Sequence, residues 1–195
     1  MIRFFDPSNP WPYVLFYVVT VLWVLEFVVF PSKFKSDSFS EKRSFRLILA
    51  GIVGTVLFNN LFTFFGWFTL EGDVGVWLRR IGMVTYPLGL LLRYVSTFYL
   101  GQYFTRDVAI NETQELISNG PYKVLRHPLY LGLFLLAVSV PLFFANILIL
   151  VLSMLYMGAL LNHRMRLEEA NMERIMGERY VTWKKRRYRF IPFIY

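Results

Sequence analysis

The chain has no cysteine and only two histidines, His127 and His163, among its 195 residues. The first absence removes disulfides, thiolate nucleophiles, Cys-ligated zinc and iron–sulfur clusters together. The second, with no HExxH or related spacing, leaves no metal site to expect. Acid is scarce as well: 13 Asp and Glu stand against 21 Lys and Arg, a net charge of +8. Charge is sparse in four long stretches, Trp11 to Phe30 with Glu26 alone, Phe45 to Phe68 with Arg46 alone, Trp77 to Leu100 with Arg79, Arg80 and Arg93, and Leu129 to Leu161 with none.

What remains is a chain with 56% apolar residues, its charges gathered between apolar blocks. A bilayer crossing takes about 20 mostly apolar residues. The first three stretches are that long, and the fourth is too long for one crossing and short for two. Pro141 and Asn146 near its middle divide it into a tight hairpin with arms of about 16 residues. The expected fold is all-α, a polytopic membrane protein with about five transmembrane helices. The last two form the hairpin, and a cytosolic C-terminal helix follows. The whole reads as one membrane domain, residues 1–100 supplying three helices and 101–195 the rest. The run from Trp11 has no small-residue cleavage site and is expected to be a retained helix.

Basic residues give the orientation. Lys33, Lys35, Lys42 and Arg43 lie in one loop, and nine Lys or Arg follow His163. Both places are expected on the cytoplasmic side, which puts the turn with Glu71 and Asp73 outside and Gly101 to Pro128 inside. The excess charge sits beside hydrophobic spans, where anionic lipid attracts it by about 1 kcal/mol per residue. The expected partner of this charge is therefore membrane lipid and not nucleic acid. Within the spans, Arg93 is expected to snorkel toward the inner face and Glu26 to pair with a base, both in structural roles.

Residues 118 to 132 form a polar, proline-punctuated segment between apolar runs, with Tyr122, Lys123, Arg126, His127 and Tyr130 close together. Asn119 or Ser118 can cap a short helix starting at Pro121. Pro128 then biases His127 toward an extended conformation. From these residues alone, an interfacial anchor and a ligand site are equally open. Beyond the hairpin, Arg164 and Glu168 are four apart and share a helix face, as do Glu169 and Glu173. The hairpin returns Arg164 to the face it left at Pro128, so the two polar clusters meet.

At this point the C-terminal half resembles the isoprenylcysteine carboxyl methyltransferase group of integral-membrane methyltransferases, itself similar to the phospholipid N-methyltransferases. The resemblance runs from Leu100-Gly101-Gln102-Tyr103-Phe104-Thr105 through Leu116 to Tyr122 and Arg126-His127-Pro128-Leu129-Tyr130. It continues in Arg164 to Glu169, Gly177 to Tyr180 and Arg189 to Phe193. It implies S-adenosyl-L-methionine held on the cytosolic side and a lipophilic small-molecule or lipidated substrate arriving from the membrane. The matching cofactor positions are Gln114, Glu115, Leu116, Ile117, Tyr122, His127, Pro128, Leu129, Tyr130 and Glu168. Arg164 matches the arginine that holds a substrate carboxylate, so that Arg164 and Glu168 are the implied catalytic pair. Ala109 departs from the pattern at a cofactor-contacting position.

Three further functions stand beside carboxyl O-methylation. One is N- or S-methylation of a phospholipid or other small molecule, for which His127 or Glu168 would be the base. Another is NADPH-dependent reduction of a lipid double bond, since Tyr188 to Tyr195 also resembles the C-termini of membrane sterol reductases. The last is a scaffold without chemistry.

Overall fold

The computed structural model describes residues 10–29, 39–101 and 115–192. Gln114, Ala109, the Glu26 side chain and the basic loop as far as residue 38 lie outside the described residues. So does most of the segment expected to be extended before the polar turn.

Among the described residues the chain is helical: α1 Trp11–Val29, α2 Phe39–Phe64, α3 Gly72–Leu100, α4 Pro128–Phe143, α5 Ile147–Met176 and α6 Glu178–Lys184, with a 3₁₀ turn at Gly120–Lys123. Each boundary has a local cause. Asp73 lies in the first turn of α3, where the helix dipole favours acid. Pro128 opens α4 because proline loses no hydrogen bond there. Asn146 caps α5, its Oδ1 accepting from Ile149 N at 3.1 Å.

The block Leu129 to Leu161 does divide around Pro141 and Asn146, into α4 and α5. The second arm does not stop at Leu161, however. Residues 162–176 contain no Gly or Pro and are rich in helix formers, so α5 continues for 30 residues to Gly177, where φ is 53°. The helix bearing Arg164 and Glu168 is thus the inner end of the hairpin's second arm, and the separate terminal helix is the short α6.

By length and composition α2 and α5 suffice to cross a bilayer, while α1 and α4 are apolar but shorter. Large apolar side chains cover the outside, with Trp11, Phe64, Phe98 and Leu155 each more than two-thirds exposed. So much outward apolar surface is that of a protein solvated by lipid.

Two of the helices approach closely because side chains are missing. A Cβ on Gly82 would strike the backbone of Phe143. One on Gly89 would lie 3.0 Å from the Gly132 carbonyl oxygen, and one on Gly132 2.9 Å from that of Gly89. Small residues facing each other let α3 and α4 pack backbone to backbone, with a hydroxyl contact between Thr85 and Ser139 at 2.7 Å. Phe16 of α1 stacks on Phe143 at 4.7 Å and on Tyr86 at 5.0 Å. Leu136, Met157 and Leu161 are fully buried between α4 and α5 and their neighbours.

The turn of the hairpin is tied to the α2–α3 loop: Leu70 N donates to Ala145 O at 2.9 Å, and Ile147 N to Phe68 O at 3.0 Å. Asn146 Nδ2 adds a bond to Trp67 O at 2.9 Å. At the opposite end, the C-terminal segment runs parallel to the polar turn, with Tyr188 N bonded to Val124 O and Arg126 N to Tyr188 O. The open end of the hairpin is therefore walled by α3, the 3₁₀ turn, α6 and the chain after it.

Candidate active site at the mouth of the hairpin

Pro121 presets the 3₁₀ turn, and Asn119 precedes it in extended conformation without a side-chain cap. Ser118 has a different use, accepting from Trp183 Nε1 at 3.0 Å and donating to Leu116 O at 3.2 Å. Arg187 donates to Tyr122 O at 2.7 Å and lies over the Trp183 ring. The C-terminal segment thereby fixes the backbone of the turn. Tyr122 is 6% exposed. Burial, then the charge of Glu168, raises its phenol well above the ordinary range, so it stays protonated and can donate.

His127 sits at the α4 N-terminus with φ −126° and ψ 56°, outside the helix as the following proline requires. It is 5% exposed and lies between two carboxylates. Nε2 is 3.0 Å from Glu169 Oε1, and Nδ1 is 3.9 Å from Glu168 Oε2. An ionised carboxylate only accepts, so Nε2 carries a proton and Glu169 sets the ring's orientation.

One turn on, Tyr130 joins the two helices. Its hydroxyl donates to Glu168 Oε2 at 2.7 Å and accepts from Arg164 Nε at 3.0 Å. The expected direct partnership of Arg164 with Glu168 along one helix face is thus mediated by a phenol from the other arm. Arg164 is 3% exposed. A guanidinium so far out of water needs compensating partners.

Glu168 and Glu169 have separate circles. Glu168 meets Tyr130 and faces His127. Glu169 takes Arg126 Nη1 at 2.8 Å and His127 Nε2 on one oxygen, and pairs with Arg189 Nε at 3.2 Å on the other. Arg189 in turn donates to Asn162 Oδ1 at 3.2 Å. Tyr180 of α6 is buried behind this cluster, stacked on Trp183. Burial and then Glu169 raise its hydroxyl far above its ordinary value. On the outer edge Lys184 pairs with Glu173.

Of the residues expected at a site, Tyr122, His127, Pro128, Tyr130, Arg164 and Glu168 gather at this mouth. Leu129 takes part through its carbonyl, which accepts from Arg93 at 3.4 Å. Leu116 and Ile117 are half-buried in the approach to the turn and Glu115 is exposed. Glu169, Arg126 and Arg189, which are not among the expected site residues, hold the mouth together. Their signal was available, since all three fall inside the stretches that carry the resemblance.

A model of the isoprenylcysteine carboxyl methyltransferase (ICMT) family matches residues 81–174, which span α4, most of α3 and the site helix. The protein-S-isoprenylcysteine O-methyltransferase of Rattus norvegicus is 28% identical over 168 residues, 84% of this chain and 57% of the rat protein. The protein-S-isoprenylcysteine O-methyltransferase B of Arabidopsis thaliana is 25% identical over 120 residues, 60% of this chain and 61% of the plant protein. The chain thus spans somewhat over half the length of the curated relatives it matches. The solved eukaryotic intramembrane Ras methyltransferase ICMT superposes with a TM-score of 0.70 at 21% identity, covering 98% of this chain and 70% of that one. The helical arrangement is therefore shared.

Proposed function

We propose, from its match to the isoprenylcysteine carboxyl methyltransferase family, that the chain uses S-adenosyl-L-methionine to methylate the carboxylate of a lipophilic, membrane-resident acceptor of the isoprenylcysteine type. The observation that carries this reading is the Arg164–Tyr130–Glu168 chain across the hairpin mouth. It places a buried cation and a carboxylate side by side, held apart by a hydroxyl, where the end of a membrane span meets the polar turn.

The residues fit the cofactor. Tyr122 offers a buried hydroxyl without a partner, and Glu168 offers negative charge to a cationic ligand. Tyr122, His127, Tyr130 and Glu168 would form its wall, with Gln114 to Ile117 leading into it. When bound, the donor supplies a methyl group on a positively charged sulfur.

The protein's task is then alignment, and orientation of two reactants is worth roughly 7–11 kcal/mol. A carboxylate acceptor is already ionised near neutral pH and requires no base. Arg164 would hold it, Tyr130 would fix the guanidinium plane, and Glu168 would orient the cofactor. His127 keeps its Nε2 proton on Glu169 and acts as packing and orientation for this wall. The mouth lies on the cytoplasmic side in this reading, with five crossings and the lipid tail of the acceptor remaining in the bilayer. Residues 101–195 form the catalytic core and 1–100 the supporting helices.

The test is methyl transfer in reconstituted vesicles from labelled S-adenosylmethionine to a prenylated cysteine with a free carboxylate. A methyl ester releases labelled methanol in base, whereas an N- or S-methyl product does not. Base-stable label alone would replace carboxyl methylation with the phospholipid-type reaction.

A further inference from the structure

Beside the mouth, where α3 meets the 3₁₀ turn and α4, polar groups are buried that helix packing leaves unused. Arg93, Ser96 and Thr97 are spaced three and four residues apart and share a face of α3. Ser96 is 0% and Thr97 1% exposed, and neither hydroxyl has a hydrogen-bond partner. Helical hydroxyls ordinarily bond back to the carbonyl four residues earlier, as Thr20 and Thr85 do here. Tyr122 brings a third orphaned hydroxyl from the 3₁₀ turn. Arg93 passes its stem across the space left by Gly132 and donates to Leu129 O at 3.4 Å. Its charge and that of Glu168 both act on the Tyr122 phenol.

Buried hydroxyls without partners are costly; others lie at Thr63 and Thr69, but the three here adjoin the Arg93 guanidinium where Tyr99 of α3 packs on Gly120 of the turn, a combination suited to a polar guest. The donors and acceptors define that guest. A guanidinium and a protonated phenol donate to an anion, while serine and threonine oxygens can accept from an ammonium group nearby. Together they complement a zwitterion. We infer that Arg93, Ser96, Thr97 and Tyr122 receive the amino-acid end of the methyl donor, so that α3 contributes a subsite for its α-ammonium and α-carboxylate groups.

This rests on the S-adenosylmethionine reading above. The donor is preferred to the acceptor's carboxylate as the source of the anion because Tyr122 belongs to the proposed cofactor wall and Leu129 to the matching cofactor positions, whereas Arg164, proposed to hold the acceptor, projects from α5, the other arm of the hairpin.

Calorimetry on the full chain in nanodiscs tests it with two probes. S-adenosylhomocysteine has the amino-acid end, and 5′-deoxy-5′-methylthioadenosine lacks it. Wild-type protein is expected to prefer the former by roughly tenfold to hundredfold. Arg93→Gln removes most of that preference by weakening S-adenosylhomocysteine alone, and Arg93→Lys restores part of it. Tyr122→Phe keeps the ring and deletes one orphaned oxygen. It is expected to raise the melting temperature of the ligand-free protein while lowering S-adenosylhomocysteine affinity, and it carries the test if Arg93→Gln does not fold. An unchanged probe ratio in Arg93→Gln, or in Tyr122→Phe, overturns the inference. So does a rise in acceptor KM with the ratio intact, which would assign the junction to the acceptor. If wild-type protein binds neither probe, the methyl-donor reading falls first and this inference with it.

Discussion

At its turn the α4–α5 hairpin is closed by backbone hydrogen bonds, an asparagine cap and stacked phenylalanines. At its mouth the same two helices hold two carboxylates, an imidazole, a phenol and a buried guanidinium, with two further arginines brought in from Arg126 and Arg189. The turn end makes its hydrogen bonds locally, within a few residues or with the adjacent loop, and leaves the buried Thr69 hydroxyl without a partner. The mouth satisfies its polar groups across long sequence separations, with unpartnered buried hydroxyls at Tyr122, Ser96 and Thr97 beside it. Under the proposed function, binding falls at one end of the hairpin and locally bonded structure at the other, and substitutions at the two ends should separate them.

The largest effect is expected where the mouth is held closed. Glu169→Ala leaves Arg189 and Arg126 without their shared carboxylate and should cost about 3–5 kcal/mol, read as a lowered melting temperature of the purified protein. A melting temperature within a degree or so of wild type would mean that the mouth is not load-sharing in this way. Next comes Arg164→Ala. If the guanidinium holds the acceptor carboxylate, kcat/KM should fall roughly 10²- to 10³-fold while S-adenosylhomocysteine affinity is nearly kept. Equal loss of both would merge acceptor and cofactor roles in one residue.

Substitutions at the turn should do the reverse. Gly82→Val drives a side chain into the Phe143 backbone and should destabilise by about 1–3 kcal/mol, with ligand affinity of the folded fraction unchanged by calorimetry. Asn146→Ala removes the α5 cap and the bond to Trp67 and should cost about 1 kcal/mol, again with turnover preserved. Weakened cofactor binding in either variant would show that the two ends are coupled through α4 or α5.

The contrast between the ends also explains what could be read from the sequence. Apolar run lengths, Pro141 and Asn146 locate the helices and the hairpin, because these depend on composition over many residues and on two punctuating side chains. Proline at 121 and 128 likewise locates the 3₁₀ turn and the start of α4. The gathering of His127 with Glu168 followed from topology.

The partner of each charge did not follow. Spacing pairs Arg164 with Glu168, but the path between them runs through Tyr130, which lies 34 residues away from Arg164 along the chain. Glu169 and Glu168 are neighbours with the same side chain, and nothing in the local sequence says which faces Arg189. The continuity of α5 past Leu161 was legible in principle, since no breaker precedes Gly177. The change from apolar to charged residues there suggested an end that the backbone does not make.

If the acceptor is lipid-borne, as proposed, the glycines between α3 and α4 bear on how it reaches the mouth. With Gly89 and Gly132 set carbonyl to backbone, and Gly82 against Phe143, these two helices share a seam of backbone contacts, over which the Arg93 stem lies at Gly132. A side chain can swing aside to admit a guest, but a backbone contact yields only when whole helices separate and the contacts beside it break as well. The pair is therefore expected to behave as a single plank, so that an acceptor moving between bilayer and mouth would pass its edges, alongside α1 or α5. Attaching bulky probes along those edges, and not along the seam, is the way to find the entrance.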